Sequence, residues 1–295
     1  MTIIPAKLST GITPKKLDDV ETQILKAHSQ LADLQTRFIK EDTFRFWKGI
    51  IMGKEKSGKT MSLLTAPRPL LVLNFDPDGL ATIDKELRDP KAKVYGVDFS
   101  GDDIMHPSKY MEFIKAFEEM EYKGIFKGVA TVALDSLTSL AQAMLNEIVN
   151  SAVRKKPESR VDGFVPDKPD YNKQKLLLIR LASKLMSLRC HSVVLGHLLT
   201  EFDNEGRPYF SLLLGPKAGA NALPLFSEVY IAEKKVRWES KSGKERLDYY
   251  WQTEVDSAGK NAGSRRNRGN IVPSEVPQDF RDLFKKLNLK SEDVK

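Results

Sequence analysis

At 295 residues, the chain is long enough to bury a substantial core, and its 41% hydrophobic and 29% charged positions lie near globular averages and argue against general disorder. Its net charge of +7 favours polyanionic partners such as nucleic acid. The lone Cys190 excludes an internal disulfide framework, no apolar run approaches the ~20 residues of a membrane span, and Met1 to Lys7 carry no signal-peptide pattern; a soluble cytoplasmic protein is expected.

Residues 1–15 read as an extended arm containing Pro5, Gly11 and Pro14. From Leu17 to about Lys40, the positions Leu17, Val20, Ile24, Leu25, Leu31, Leu34 and Phe38 recur at helical spacing and give one apolar face. That face can pack on its own domain or on a neighbouring subunit. Strands and helices then alternate. Trp47 to Met52 is β-prone and ends at Gly53; Leu70 to Phe75 is a continuous apolar run, as a strand buried on both faces should be. A third strand is expected at Val94–Phe99, a helix over 107–120, a strand at Val129–Leu134 and a helix over 137–153. Residues 154–170 are charged and rich in proline and predict a surface loop. A helix over 171–188 leads to a buried strand from Ser192 to Leu195.

Beyond that point hairpins are expected. Turn clusters at Asp203-Asn204-Glu205-Gly206 and Lys241-Ser242-Gly243-Lys244 separate β-prone runs, the second pair being Glu228–Trp238 and Leu247–Val255. Residues 256–270 read as a loop, and 278–287 as a closing helix. The alternation predicts an α/β fold with a mostly parallel central sheet, helices on both faces and C-terminal β-hairpins.

The segment Gly53-Lys54-Glu55-Lys56-Ser57-Gly58-Lys59-Thr60 meets the pattern G-x-x-x-x-G-K-[ST] in full, at the required junction of strand and helix. Its glycines allow a tight turn whose amides surround phosphate oxygens. Lys59 is expected to reach the β- and γ-phosphates of ATP, and the Thr60 hydroxyl to ligate Mg²⁺. The nucleotide-contacting set is those eight residues and Met61. Asp135 ends the run Thr131-Val132-Ala133-Leu134 and is expected to hold Mg²⁺ as well, a role compatible with capping the helix that follows. Asp76-Pro77-Asp78 ends the second strand; either acid could orient the attacking water, or the segment could be a simple turn. His197 follows the strand Ser192 to Gly196 and is a candidate γ-phosphate sensor or a structural histidine. His28, His106 and His191 lack partners at metal-ligand spacing, so no zinc site is expected.

With these pieces in order, the chain resembles the RecA-like P-loop ATPases encoded by phages, especially the single-strand annealing and nucleotide-binding proteins of phage recombination. The resemblance covers residues 45–275 and rests on Gly53 to Thr60, Leu73 to Gly79, Leu134-Asp135-Ser136 and Val194 to His197. It extends to Leu214-Gly215-Pro216-Lys217 and Tyr250-Trp251-Gln252-Thr253. It implies that Asp78 stands where those proteins carry a catalytic glutamate. It also implies ATP bound between protomers of a ring or filament, with Arg268 of Arg266-Asn267-Arg268-Gly269 as a charge-stabilising finger. Three segments follow: 1–44 as an arm and helix for oligomerisation, 45–275 as the ATPase core, and 276–295 as a C-terminal helix and tail.

Two functions are compatible with this reading. The first is an ATPase acting on single-stranded DNA through basic loops, with Arg154, Lys155, Lys156, Arg160 and Lys168 in one and Lys260 with Arg265 to Arg268 in the other. Phe164 is the only aromatic residue within them. The second is a nucleotide-gated assembly protein with slow hydrolysis, favoured by aspartate in place of glutamate at position 78. Small-molecule phosphotransfer lacks a dedicated acceptor-binding segment.

Overall fold

The computed structural model describes residues 22, 25–31, 33, 45–155, 165–202, 205–206, 208–214, 222–239, 244–254, 262–267 and 271–293. The chain divides into two units, residues 1–43 and 44–295. In the first, residues 25–31 are helical and Leu25 and Leu31 are exposed; the remainder of the expected helix lies mostly outside the described residues.

The second unit is built on a sheet of ten strands: β1 (Lys48–Gly53), β2 (Leu70–Asn74), β3 (Val94–Asp98), β4 (Thr131–Asp135), β5 (His191–Phe202), β6 (Pro208–Leu212), β7 (Glu228–Glu239), β8 (Lys244–Gln252), β9 (Gly263–Ser264) and β10 (Glu275–Pro277). Their order is β10-β8-β7-β1-β5-β4-β2-β3, with β6 beside β5 and β9 beside β7. From β7 to β3 every neighbouring pair is parallel; β8, β10, β6 and β9 add antiparallel pairs at the margins. The expected mostly parallel α/β sheet is therefore what the chain forms.

Alternation along the central strands divides the core in two. Ile50, Met52, Leu71, Leu73, Val132 and Leu134 face α3 (Lys109–Tyr122), α4 (Leu137–Lys155) and α5 (Lys168–Ser187). Ile51, Leu70, Val72, Ala133 and Leu195 pack with Leu63, Ile83 and the C-terminal helix. That second layer holds the short α1 (Lys59–Ser62), α2 (Asp84–Arg88) and α6 (Phe280–Lys286). Phe280 packs 4.6 Å from Trp251 and 5.6 Å from Trp47 between ring centroids, so the C-terminal segment completes the core beneath β1.

Several boundaries differ from the expectation. α5 begins at Lys168 inside the expected loop, because Asp167 and Asp170 form a reciprocal capping box that satisfies orphan amides of its first turn. β5 continues past His197 to Phe202, since its second half pairs antiparallel with β6. Gly263–Ser264, expected as loop, pairs with the start of β7.

Candidate nucleotide-binding site

Strand register assembles the site. Across neighbouring strands Gly53 of β1 stands opposite His197 of β5, and Leu134 of β4 stands opposite Val194 of β5. On the other side of β4, Asn74 of β2 pairs with Asp135. The carboxyl ends of four adjacent strands therefore present Gly53, His197, Asp135 and the segment starting at Asn74 along one edge. A parallel sheet delivers ligand-binding groups to this edge because its strands end there together.

The loop leaving β1 curls tightly. Lys56 and Gly58 both have left-handed backbones, with φ of 58° and 88°, which is the alternation that turns successive amides into an anion-binding concavity. A side chain at Gly53 would sit 2.5 Å from Ser57 Oγ and 2.8 Å from the Ala232 carbonyl, so only glycine fits. Lys54, Glu55 and Lys56 are exposed, whereas Ser57 and Lys59 are buried. Lys59 Nζ donates to the carbonyls of Gly53 (3.0 Å) and Lys54 (2.9 Å). Burial is the largest influence on its pKa and lowers it, against the raising effects of Asp135, Asp76 and Glu55.

Thr60 Oγ1 donates to Asp135 Oδ2 at 2.6 Å, joining the first turn of α1 to the end of β4. Burial pushes the Asp135 carboxyl up to about 6; Asp76 adds to the rise, and the Thr60 hydrogen bond and the Lys59 charge oppose it. Asp135 Oδ1 and Ser57 Oγ are buried without hydrogen-bond partners. Among the described residues no group of three or more His, Cys, Asp or Glu could hold a metal ion. The Asp135 carboxylate, with one oxygen buried and orphaned, and the Thr60 hydroxyl suit Mg²⁺, which takes few protein ligands and completes its shell with phosphate oxygens and water.

Asp76 is the second acid of the cluster. Its Oδ1 accepts from Ser136 Oγ (2.6 Å) and Ser139 Oγ (2.5 Å), and its Oδ2 lies 3.1 Å from His197 Nε2. Burial alone would raise its pKa, but the hydrogen bonds from His197, Ser136 and Ser139 and the His197 charge hold it at about 2. An ionised carboxylate only accepts, so His197 Nε2 carries the shared proton. The His197 amide in turn donates to Thr138 Oγ1 at 3.0 Å.

Among the expected site residues, the structure brings together Gly53, Ser57, Gly58, Lys59, Thr60, Asp135 and His197. Met61 is exposed and lines a cavity of about 590 Å³ in front of the loop. Asp78 is exposed, with φ of 53° at the start of a 3-10 turn, and takes no part in the hydrogen bonds that join Asp76, Ser136, Ser139 and His197. Of the two acids, Asp76 is the one bonded to the ends of β4 and β5, through Ser136, Ser139 and His197. Arg268 lies outside the described residues, as do Lys156, Arg160, Phe164 and Lys260. Arg266 sits at the opposite, amino edge of the sheet, where its Nη2 donates to the Phe46 carbonyl and its Nε lies 3.6 Å from buried Glu228.

Thr138, Ser139, Tyr249 and Gln278 also contribute and were not expected. Ser136 and Ser139 stand three apart in the first turn after β4, a spacing that could have been read. Tyr249 and Gln278 reach the loop only through tertiary packing and leave no local signal.

The profile of the AAA domain family matches residues 45–260. No curated protein matches the chain. Among solved structures the chain is similar to one described as a prototypical ATPase from the type III secretion system of pathogenic bacteria. Identity is 14% and the TM-score 0.38, over 62% of this chain and 50% of that one, so this chain spans about half the length of that protein. No helix among the described residues is long and apolar enough to cross a membrane.

Proposed function

The chain belongs to the AAA domain family, and from that premise we propose that it is a RecA-like, Mg²⁺-dependent ATPase acting on single-stranded DNA in phage recombination, annealing or replication. The hydrolytic reading is carried by one observation: a single sheet edge on which Lys59, the Thr60–Asp135 pair and the Asp76–His197 pair converge. In this reading the loop amides and Lys59 hold the triphosphate, Lys59 exchanging its two carbonyl partners for phosphate oxygens. Thr60 and Asp135 hold Mg²⁺, which when bound neutralises charge on the β- and γ-phosphates. Asp76 orients the attacking water as a hydrogen-bond acceptor. With a pKa near 2 it is too weak a base to remove a proton beforehand, so it acts by position. His197 fixes that carboxylate and stands beside Gly53, where it can register whether the γ-phosphate is present.

The DNA reading is supported by the net charge of +7 and by the hairpin of β7 and β8, where exposed Trp238 stands on the same two strands as Lys234, Arg237 and Arg246. A second reading, assembly of copies of this chain gated by nucleotide, is favoured by the apolar face of that hairpin. Val236, Leu247 and Trp238 are all exposed on it, and it begins at the cavity wall with Tyr249. Measuring ATP turnover with Mg²⁺ or chelator, with and without single-stranded DNA, tests both. Turnover that needs Mg²⁺, rises with DNA and vanishes in Lys59→Ala is expected. Turnover equal in Lys59→Ala and the parent would refute hydrolysis at this site.

A further inference from the structure

The amides, lysine and hydroxyl of the phosphate loop recognise a triphosphate and carry no information about the base attached to it. Yet the cavity of about 590 Å³ continues beyond the loop, and its remaining wall is made by Thr82, Tyr249 and Gln278. Tyr249 lies on β8, remote in sequence, and is 42% exposed. Its ring edge rests on the loop: a side chain built at Gly58 would come within 2.7 Å of Tyr249 Cδ1. The ring thus begins where the phosphate cradle ends.

The strand that carries this ring is braced against the loop by one glutamine. Gln278 Nε2 donates to the carbonyls of Ser57 (2.8 Å), Tyr250 (3.1 Å) and Glu233 (3.4 Å), and its backbone N–H donates to Tyr249 O at 3.3 Å. One side chain therefore ties the phosphate loop to both strands of the hairpin. Gln278 is itself fixed by α6, whose Phe280 N–H donates to Thr65 Oγ1 and whose ring is fully buried. These bonds tie the backbone of β8, and with it the base of the Tyr249 side chain, to the phosphate loop beside Gly58.

We propose that Tyr249 is the stacking platform for the nucleobase of the bound nucleoside triphosphate, and that Gln278 is the positioning residue that holds the platform against the phosphate loop. The proposal rests on the reading of the cavity as a nucleotide site and adds the part of the ligand that reading leaves out. Stacking on one aromatic ring accepts any base through its π-face, so the platform contributes affinity common to ATP and GTP. Its loss should weaken each roughly tenfold or more.

Titration calorimetry of the full chain with Mg²⁺ and either ATP or inorganic tripolyphosphate separates base from phosphate recognition. Tyr249→Ala should weaken ATP roughly tenfold or more and leave tripolyphosphate unchanged; Tyr249→Phe should restore ATP, and Tyr249→Leu should not. Gln278→Ala should lower the ratio of ATP to tripolyphosphate affinity in the same direction. Equal loss of both ligands in Tyr249→Ala would make the ring a prop for the loop and overturn the proposal, as would recovery by leucine or no loss at all. Failure of the parent protein to bind either ligand, with Lys59→Ala indistinguishable from it, would instead remove the nucleotide reading and the platform with it.

Discussion

Asp135 and Asp76 lie at neighbouring strand ends, yet their environments push them in opposite directions, and this difference can be measured. Asp135 has a folded pKa of about 6 against an ordinary 3.8, so its charged form is disfavoured by the fold. The resulting penalty is absent below pH ~4, grows as the pH rises to about 6 and stays constant above it. Asp135→Asn keeps an acceptor for Thr60 and removes the charge. It should therefore stabilise the nucleotide-free protein at neutral pH by on the order of 2 kcal/mol, read as a higher unfolding midpoint, and abolish any added stability that Mg²⁺ and ATP confer. Asp76, held near 2, has the opposite sign: its contribution is present above pH ~4 and is lost as the pH falls toward 2. Asp76→Asn should destabilise the protein at neutral pH by a similar amount, read as a lower midpoint, and suppress turnover. Thermal unfolding of both variants at pH 5 and 7.5 checks this; two shifts of the same sign would contradict the assignment. Asp135 is legible in the sequence because an apolar run leads straight to it. That Asp76 and not Asp78 joins the cluster of Ser136, Ser139 and His197 is not, because it is set by tertiary hydrogen bonds that leave no local pattern.

The phosphate loop is an element whose local pattern and tertiary setting agree. Gly58 is required twice, by its φ of 88° and by the Tyr249 ring and Gln278 amide that occupy the space of a side chain. Gly58→Ala should therefore destabilise the fold by about 1–3 kcal/mol and weaken ATP binding, as unfolding and titration measurements can show together. An alanine that leaves both unchanged would mean that the loop relaxes freely. The central strands are legible for a related reason: β2 and β4 are covered on both faces and read as unbroken apolar runs. The extension of β5 from Gly196 to Phe202 has no such signature, because that stretch is only half-buried and is specified by its partner β6. In the same way α5 starts earlier than its apolar periodicity suggests, through a cap made of two aspartates that reads as loop chemistry.

Across the whole molecule, charge and exposed aromatic surface meet on the hairpin of β7 and β8, which starts at the nucleotide cavity and projects away from it. Cross-strand pairs put Lys234 opposite Tyr249, Val236 opposite Leu247 and Trp238 opposite Glu245 on one face. Arg237 and Arg246 face each other on the other side, both paired with Asp248 at 3.0 and 2.9 Å. Sequence inspection places DNA contacts in basic loops with a single aromatic residue, and much of those loops lies outside the described residues. The hairpin instead offers Trp238, 67% exposed, on the face that also carries Lys234, with Arg237 and Arg246 on the opposite face, an arrangement visible only once the strand register is known. If single-stranded DNA lies here, Trp238→Ala should weaken its binding roughly tenfold while DNA-free ATP turnover stays at the parent level, because Trp238 does not line the nucleotide cavity. Binding of the parent should fall as salt rises, with a slope set by the phosphates contacted, and Trp238→Ala should keep that slope because an indole neutralises no phosphate. Fluorescence anisotropy across a salt series reads both quantities. Should Trp238→Ala bind DNA normally but lose an ATP-dependent increase in particle size, the apolar face belongs to a second copy of the chain, and the hairpin couples nucleotide to assembly.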